Sequence, residues 1–379
     1  MMMKVALFIA FCSVCVWGLP TSEKAADRCN TNNCKIEDDC RCSSGNNPIA
    51  DKDNPAPQLI AITVSESVVQ TLYDDYLAPL FFDRKNPDGN PIGLTFYVPH
   101  EYTDYTLVQD LYVRGYEIGD HSITKNGSQE YWRQATLEDL EEEFGGQKTI
   151  ISTFAKIPAE DIVGVRTPQL QLEGDVSIDA YVNSEFKYDN SWPTMSTELF
   201  LPYTLDYAST QRCTVTMTCP TESHPHFWIA PITNIKGAND IECNSLATCL
   251  VEGTADEIST WLLDQVALVK NDTRAPLILR LDSYWFSFTK NSYEGFTKFL
   301  EEVGTQDDVF LVSVQDVVDW IENPVPATAY ATSVHDDRTK DCTAVSCALT
   351  NIDGELRYMK SCVPCPEVYP WKGNPLGEA

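Results

Sequence analysis

The sequence predicts an α/β fold built around a parallel sheet or barrel. Short runs of β-forming apolar residues alternate with longer segments of helical periodicity, over about 270 residues. This alternation is typical of parallel sheets, in which helices connect successive strands. The chain of 379 residues is long enough for one large domain with a full core.

These elements follow one another in a regular order. The predicted strands are 57–64, 94–98, 162–165, 277–281 and 309–314. The predicted helices between them are 67–77, 105–114, 137–154 and 254–270. We therefore place the α/β domain at 57–323, between a cysteine-rich extension at 19–56 and a crosslinked tail at 324–379.

The first 18 residues have the features of a signal peptide. Lys4 provides a short basic start, 5–17 are apolar, and 16–18 offer a plausible cleavage point. The apolar stretch is shorter than the roughly 20 residues that span a bilayer. We expect a secreted, extracellular protein that does not insert into a membrane.

The cysteines support the same compartment. Cys12 and Cys15 would leave with the signal peptide. Twelve cysteines then remain, which are Cys29, Cys34, Cys40, Cys42, Cys213, Cys219, Cys243, Cys249, Cys342, Cys347, Cys362 and Cys365. An even number in an exported chain predicts disulfides. Zinc is the rival interpretation, because Cys362 and Cys365 have the spacing of metal ligands.

The net charge of −29 excludes some partners. Nucleic acids and anionic membranes attract basic surfaces, so neither fits this chain. A neutral polysaccharide is compatible with the charge. The charge can also simply keep an extracellular protein soluble.

Four strand ends carry unusual polar residues, and functional groups of a (β/α) barrel lie at such ends. The candidates are Ser65 and Glu66 after the first strand, His121 and Lys125 after 115–120, Arg166 and Pro168 after the third, and Asp282, Tyr284 and Trp285 after the fourth.

Eight short stretches carry a resemblance to a known family. They are CRCS at 40–43, RKNPDG at 84–89, GDHSIT at 119–124, YDNSWP at 188–193, PYTL at 202–205, CPT at 219–221, DDV at 307–309 and YPW at 369–371. In these the chain resembles the polysaccharide deacetylases of carbohydrate esterase family 4, most closely the short, gut-type insect chitin deacetylases. The resemblance implies a distorted (β/α) barrel of the polysaccharide deacetylase type with disulfide-linked N- and C-terminal extensions.

The resemblance also implies a mechanism. Two adjacent acids close the first motif, one as general base and the next as metal ligand. Two histidines four residues apart complete the metal site. The metal activates a water and polarises the acetamide carbonyl. An arginine braces the base, and a last histidine protonates the leaving amine.

This sequence departs from that pattern at the reaction centre. The base position is Ser65, and the adjacent metal position is Glu66. His121 is retained, but the second histidine position is Lys125, normally a cation without a free lone pair. The acid position is Asp282, a poor proton donor to an amine.

Other catalytic positions implied by the family are retained. Arg166 is present without a carboxylate at Ser65 to brace, and Asp189 belongs to the retained YDNSWP stretch. We expect no cofactor, or zinc if Glu66 and His121 still bind a metal. We also expect the Lys125 amine to pair with Glu66 or Asp282.

The substrate groove is predicted from neighbouring residues. Pro168, Trp192, Tyr284 and Trp285 are the candidates to contact sugar, although core packing is the alternative for both tryptophans. His224 and His226 resemble a metal pair, but a predicted loop setting near Cys219 disfavours this.

Two sequons, at Asn126 and Asn271, are candidate glycosylation sites.

Three functions remain open. The leading hypothesis is an inactive or severely impaired chitin deacetylase-like protein that binds chitin or chitooligosaccharide, as a monomer, in the gut lumen or peritrophic matrix. The second is a residual metal-dependent hydrolase of N-acetyl groups that uses Glu66 or Asp282 as base. The third is a structural glycoprotein without a ligand.

Overall fold

The computed structural model describes residues 25–379 except Met217 and Asp336. The predicted signal peptide, with Cys12 and Cys15, lies outside these residues. No helix among the described residues is long and apolar enough to cross a membrane.

Thirteen strands are present in the described part of the chain. They are β1 (Gln58–Val64), β2 (Thr95–Val98), β3 (Glu117–Asp120), β4 (Gly164–Val165), β5 (Tyr188–Asp189), β6 (Tyr203–Leu205), β7 (His224–Ile229), β8 (Ile235–Lys236), β9 (Glu242–Cys243), β10 (Leu277–Leu281), β11 (Val309–Val312), β12 (Val345–Thr350) and β13 (Leu356–Ser361).

The main sheet is curled and almost entirely parallel. Its order is β10-β1-β2-β3-β4-β5-β7-β6, and β11 also pairs with β1. Only β6 runs antiparallel to its neighbour. The segment after β7 contacts β10 at Thr233, which donates its backbone N–H to Ile278 O at 2.9 Å and accepts from Ile278 N at its Oγ1 at 3.0 Å. The predicted distorted α/β barrel is thus confirmed.

Helices connect the parallel strands, as predicted. The α-helical segments are α1 (Gln70–Leu72), α2 (Ala78–Phe81), α3 (Tyr105–Val113), α4 (Gln129–Arg133), α5 (Leu137–Leu140), α6 (Gly146–Ala155), α7 (Asp175–Asn183), α8 (Ala255–Asn271), α9 (Tyr284–Phe288), α10 (Ser292–Val303) and α11 (Val314–Glu322). π-Helical turns at Tyr73–Leu77 and Glu141–Gly145 join α1 to α2 and α5 to α6. The helices predicted at 67–77 and 137–154 are therefore each interrupted by a π turn.

The barrel interior is polar and aromatic near its axis. A Cβ on Gly119 would lie 2.7 Å from the Tyr97 ring, and one on Gly164 would lie 2.2 Å from Tyr188 Oη. Only glycine leaves room for these two rings. The Tyr188 hydroxyl donates to the buried carboxylate of Glu117, which also accepts from Thr95 Oγ1 at 2.6 Å. An aromatic column with an acid at its base thus fills the barrel.

All twelve cysteines of the described residues form disulfides, as predicted. The pairs are Cys29–Cys42, Cys34–Cys40, Cys213–Cys219, Cys243–Cys249, Cys342–Cys362 and Cys347–Cys365. The zinc alternative for Cys362 and Cys365 is wrong, because each bridges a different cysteine.

Each extension is crosslinked within itself and packs on the barrel. In the N-terminal extension, Arg41 Nη1 donates to Pro202 O at 2.6 Å. In the C-terminal tail, Lys360 Nζ lies 2.8 Å from Asp104 Oδ2, in front of α3.

Glu117 should make stability depend on pH. Burial raises its pKa from 4.5 to about 7. Its protonated form therefore stabilises the fold fully below about pH 4.5, and this contribution is lost as the pH rises through about 7. In the unmodified chain, the free energy of unfolding should decrease by on the order of 3 kcal/mol between about pH 5 and 8. Glu117→Gln should abolish this decrease, because glutamine does not titrate. Urea unfolding at a series of pH values measures it.

The matched control is Glu252→Gln, because Glu252 is exposed. Its pH profile should follow that of the unmodified chain. An unchanged pH slope in Glu117→Gln would contradict the assignment. Asp189, whose pKa burial raises to about 6, acts in the same direction and leaves a residual slope in both variants.

Candidate functional site

A groove of about 640 Å³ opens at the carboxyl ends of β1, β3, β4 and β10. Parallel strands bring their carboxyl ends to one edge, so residues far apart in sequence meet there. The lining residues are Ser65, Glu66, His121, Lys125, Arg166, Thr167, Pro168, Gln169, Leu170, Val215, Asn244, Arg280, Asp282, Ser283 and Tyr284.

The guanidinium of Arg166 lies at the floor of this groove. It is fully buried. Its Nη1 donates to Ser65 Oγ at 2.8 Å, its Nε donates to Asn190 O at 2.9 Å, and its Nη2 donates to Asn190 Oδ1. Its carbon Cζ lies 4.3 Å from the centre of the Tyr97 ring, at the top of the aromatic column.

All of these partners of Arg166 are uncharged. Among the described residues, no carboxylate oxygen lies within 4.0 Å of its guanidinium nitrogens. Burial lowers the pKa of Arg166 to about 10. A buried cation without an ionic partner is energetically costly. The hydrogen bonds to Ser65 and Asn190 and the cation–π contact with the Tyr97 ring compensate this cost only in part.

Lys125 reaches across the groove to the first strand. Its backbone has a left-handed φ of 44°, and its N–H donates to Ser122 Oγ at 3.0 Å. Its Nζ donates to the carbonyl oxygen of Ser65 at 2.8 Å. Burial of the amine lowers its pKa, and Glu66 and Asp282 oppose that shift.

The predicted direct pairing of Lys125 with an acid is therefore wrong. No ion pair within 4.0 Å joins its amine to Glu66 or Asp282, all three being described residues. Both acids are near enough to act on the amine electrostatically. Each carboxylate already has other hydrogen-bond donors, which leaves the Ser65 carbonyl to accept from the amine.

Glu66 is held by the start of α9. Its Oε1 accepts from the backbone N–H of Ser283 at 2.6 Å, and its Oε2 accepts from Ser283 Oγ at 2.5 Å. Burial raises the pKa of Glu66, and the neighbouring Asp282 raises it further, whereas Ser283 and Lys125 lower it. The carboxylate that would bind a metal thus has both oxygens occupied by donors.

Asp282 is likewise held in place. Its Oδ2 lies 3.1 Å from Arg280 Nη2 and accepts from the hydroxyl of Ser245. Arg280 Nε also lies 3.2 Å from each carboxylate oxygen. The charge of Asp282 is therefore balanced by Arg280, which lies on the strand that Asp282 follows.

His121 is buried at the groove and neutral. Its Nδ1 lies 2.7 Å from the carbonyl oxygen of Arg166, so Nδ1 carries the proton and Nε2 keeps its lone pair. Burial and the neighbouring cations Lys125, Arg166 and Arg280 hold the pKa of His121 well below its usual value. Its Nε2 remains able to accept a hydrogen bond.

These groups do not fit the family's metal site. Lys125 offers a cation where a third ligand is needed, and each carboxylate oxygen of Glu66 already accepts a hydrogen bond from Ser283. Within the described residues, the one group of three His, Cys, Asp or Glu side chains with ligand atoms within 4.8 Å of one another is Cys29, Cys34 and Cys42. Those sulfurs are in disulfides.

Two of the predicted groove residues line the groove and two do not. Pro168 and Tyr284 line it. Trp192 and Trp285 are each only 1% exposed. Trp192 Nε1 donates to Arg212 O at 3.0 Å, and the ring of Trp285 packs edge-on against Phe296. Both predictions are wrong, because the large apolar area of tryptophan is satisfied in the core.

Asp189 is also absent from the groove lining. It is fully buried, and its carboxylate accepts from Ser191 N at 3.0 Å and Ser191 Oγ at 2.5 Å. Its place is behind Arg166, since β5 ends at Asp189 and Asn190 then binds the guanidinium. Asp189 therefore contacts Ser191 and not the groove.

Four residues of the site were not identified from the sequence. Arg280, Ser283 and Ser245 hold the two acids, and Asn190 holds Arg166. Arg280 carried one signal, since a charged residue in an otherwise apolar strand needs a partner. Ser245 carried none, because it comes from a loop 37 residues away from Asp282 in sequence.

The remaining candidates lie outside the groove. Asn126 is half-buried, and its Oδ1 accepts from Ser128 N at 2.9 Å, whereas Asn271 is exposed at the end of α8. His224 and His226 lie on β7, not in a loop. His224 contacts Asp175 and Asp179 at 3.1 and 3.3 Å, so the two histidines do not form a pair.

Two known proteins of the silkworm Bombyx mori are similar to this chain over most of its length. Chitin deacetylase 8 is 34% identical over 368 residues, which cover 95% of this chain and 96% of that protein. Chitin deacetylase 1 is 30% identical over 377 residues, which cover 93% of this chain and 69% of that protein.

Among solved structures, a probable polysaccharide deacetylase from Pseudomonas aeruginosa is 13% identical, with a TM-score of 0.45 over 71% of this chain and 92% of that chain. No protein-family model matches the chain.

A carboxylate at position 65 should stabilise the protein. Ser65→Asp would place an anion beside the buried guanidinium of Arg166, and hydrogen bonds between charged groups contribute roughly 1.5–3 kcal/mol. We expect the free energy of unfolding to rise by about 1–3 kcal/mol. Chemical denaturation at neutral pH measures this change.

Ser65→Asn is the control of equal shape, since its amide is uncharged. It should be neutral or destabilising. Equal stability of the two variants would mean that Arg166 does not lack an ionic partner.

Proposed function

The chain belongs to the chitin deacetylase family of polysaccharide deacetylases, and from this premise we propose that it is an inactive or severely impaired member. It would bind chitin or chitooligosaccharide in the substrate groove instead of deacetylating it. The proposal rests on the chemistry of the groove and on the preserved shape around it.

One observation carries the proposed loss of activity. Lys125 Nζ donates to the Ser65 carbonyl, at the position where the family has a metal-binding histidine. Its positive charge would repel a divalent cation. The Ser65 hydroxyl accepts from Arg166 and cannot act as a base near neutral pH. Removal of one acid–base group costs roughly 10²–10⁴ in rate, and loss of the metal adds to that.

The groove itself supports retained binding. Its volume of about 640 Å³ falls within the range of ligand sites. Lys125 has N–H donors beyond the one used on Ser65, and His121 Nε2 can accept. An N-acetylated sugar offers both a carbonyl acceptor and an N–H donor. Tyr284 provides an exposed ring at the rim.

The setting that we propose follows from the sequence. A signal peptide at 1–18 and six disulfides fit secretion into the gut lumen or peritrophic matrix. We propose a monomer with the domain boundaries given above. Asn271 is the more accessible of the two proposed glycosylation sites.

A second candidate is a residual metal-dependent hydrolase that removes N-acetyl groups. The observation that favours it is the raised pKa of Glu66, since a raised pKa makes a carboxylate a stronger base. Its two hydrogen bonds from Ser283 oppose this role.

The two candidates differ in measurable outcomes. We expect the secreted chain to hold well under one zinc per molecule, to release no acetate from chitin oligomers, and to sediment with insoluble chitin. Elemental analysis, an acetate assay and a pull-down measure these properties. Stoichiometric zinc with acetate release would establish the hydrolase, and failure to sediment would favour a structural glycoprotein.

Tyr284 gives a test that is confined to the groove. Tyr284→Ala should weaken oligomer binding about 3- to 10-fold, because it removes an aromatic contact at the rim. Leu268→Ala is the control, since Leu268 is exposed on α8 and does not line the groove. Calorimetric titration with chitooligosaccharides measures both. Equal affinities would remove the groove from the binding site.

Restoring the family residues should restore chemistry. The quadruple variant Ser65→Asp, Glu66→Asp, Lys125→His and Asp282→His removes the cation and supplies the base, the ligands and the acid. We expect about one zinc per chain and measurable acetate release, because the scaffold around the groove is intact. The triple variant that keeps Lys125 is the control and should bind no zinc. An inactive quadruple variant would mean that the groove has also lost its substrate geometry.

A further inference from the structure

Two exposed tyrosines lie near the groove, in a part of the surface that has no role in the site chemistry described above. Tyr102 is 71% exposed and Tyr358 is 69% exposed. Both line a shallow, mostly apolar depression of about 320 Å³. The other lining residues are Val69, Gln70, Thr103, Asp104, Ser346, Cys347, Met359 and Lys360. We call this depression the tyrosine patch.

The tyrosine patch is built rigidly from two distant parts of the chain. The backbones of Asp104 and Lys360 form an isolated parallel β-bridge. Their side chains also form an ion pair, with Lys360 Nζ 2.8 Å from Asp104 Oδ2. On the other side, Arg357 Nε lies 3.4 Å from Glu101 Oε1. The disulfide Cys347–Cys365 fixes the β12–β13 hairpin that carries Tyr358. The segments that carry the two tyrosines are thus held by a β-bridge, two ion pairs and a disulfide.

The backbone at Tyr102 has an unusual conformation. Its φ is +68°, a left-handed value that is rare for a bulky residue. Most of its ring is in solvent, so core packing does not require an aromatic residue there. A strained conformation that exposes a large ring suggests a binding role.

The tyrosine patch lies close to the groove along the chain. Val69, in the patch, is three residues after Glu66, in the groove, so their Cα atoms are at most about 11 Å apart. The connecting segment is tied to the Tyr102 turn, because Ser67 Oγ donates to Glu101 O at 2.7 Å and Asp104 N donates to Val68 O at 2.8 Å. An elongated ligand in the groove can therefore extend over the patch.

The chemistry of the patch fits an uncharged sugar. The charges around it are paired with one another, Lys360 with Asp104 and Arg357 with Glu101. A tyrosine ring offers an apolar face to the C–H face of a pyranose and a hydroxyl to its polar edge. We propose that Tyr102 and Tyr358 form a second binding site for the same polysaccharide chain, so that the protein prefers long polymers to short oligomers. This inference rests on the proposed binding of chitin in the groove.

The double variant Tyr102→Ala/Tyr358→Ala tests it. Binding to insoluble chitin should weaken about tenfold, while calorimetric affinity for a chitooligosaccharide that fills only the groove should stay within about twofold. Leu268→Ala, the exposed apolar control on α8, should change neither. The double variant Tyr102→Phe/Tyr358→Phe should retain most polymer binding, because the rings remain.

Thermal unfolding distinguishes a role of the Tyr102 ring in folding from a role in polymer binding. Tyr102→Gly should weaken polymer binding without lowering the melting temperature, since glycine adopts a φ of +68° readily. A large loss of stability would instead assign the ring to folding and overturn the inference.

The remaining outcomes are also distinct. Unchanged polymer binding in the alanine double variant overturns the second site and leaves groove binding intact. Absence of both oligomer and polymer binding in the unmodified chain overturns the proposed function and this inference with it. Capture of a protein through the patch, without any effect on polymer binding, would assign the patch to a protein partner.

Discussion

The buried guanidinium of Arg166 connects the core of the barrel to the groove. Below it lies the Tyr97 ring, whose hydroxyl donates to Tyr188 at 3.3 Å, and Tyr188 in turn donates to Glu117. Above it, the same guanidinium fixes the Ser65 hydroxyl. A cation in this position must be hydrogen-bonded on every side, because desolvating it without partners is costly. The guanidinium thereby links the end of β1, β4 and the segment after β5 at the groove.

The changes from the family pattern form one connected set. Ser65 leaves Arg166 without an anion, and Lys125 adds a further cation to a groove that already contains Arg166 and Arg280. Glu66 and Asp282 are the carboxylates that compensate these charges, and each is held by a separate donor group. The two carboxylates and Arg166 are thus each hydrogen-bonded within the groove. This leaves few groups free to move protons.

Eight of the strand-end residues that were singled out from the sequence line one groove, but their contacts were not predicted. The strands at 57–64 and 277–281 were predicted almost to the residue, because buried parallel strands are continuous apolar runs. The strands β4 and β5 have only two residues each, too few for a periodic signal. Trp192 and Trp285 were misplaced for another reason. Successive helical residues point about 100° apart, so Tyr284 is exposed at the start of α9 whereas Trp285 is buried. Trp192, after β5, is buried in the core.

The amino-acid sequence by itself determined the α/β fold class and the disulfide chemistry, because these depend on residue type and periodicity. The altered positions at the proposed reaction centre came from the resemblance to the family. Tertiary structure alone decided which donor meets which acceptor. Lys125 donates to the Ser65 carbonyl and not to an acid, because the two carboxylates already accept from other residues. Glu66 accepts from Ser283, and Asp282 accepts from Arg280 and Ser245. The tyrosine patch likewise depends on a bridge between residues 104 and 360, a separation over which no local pattern in the sequence carries information.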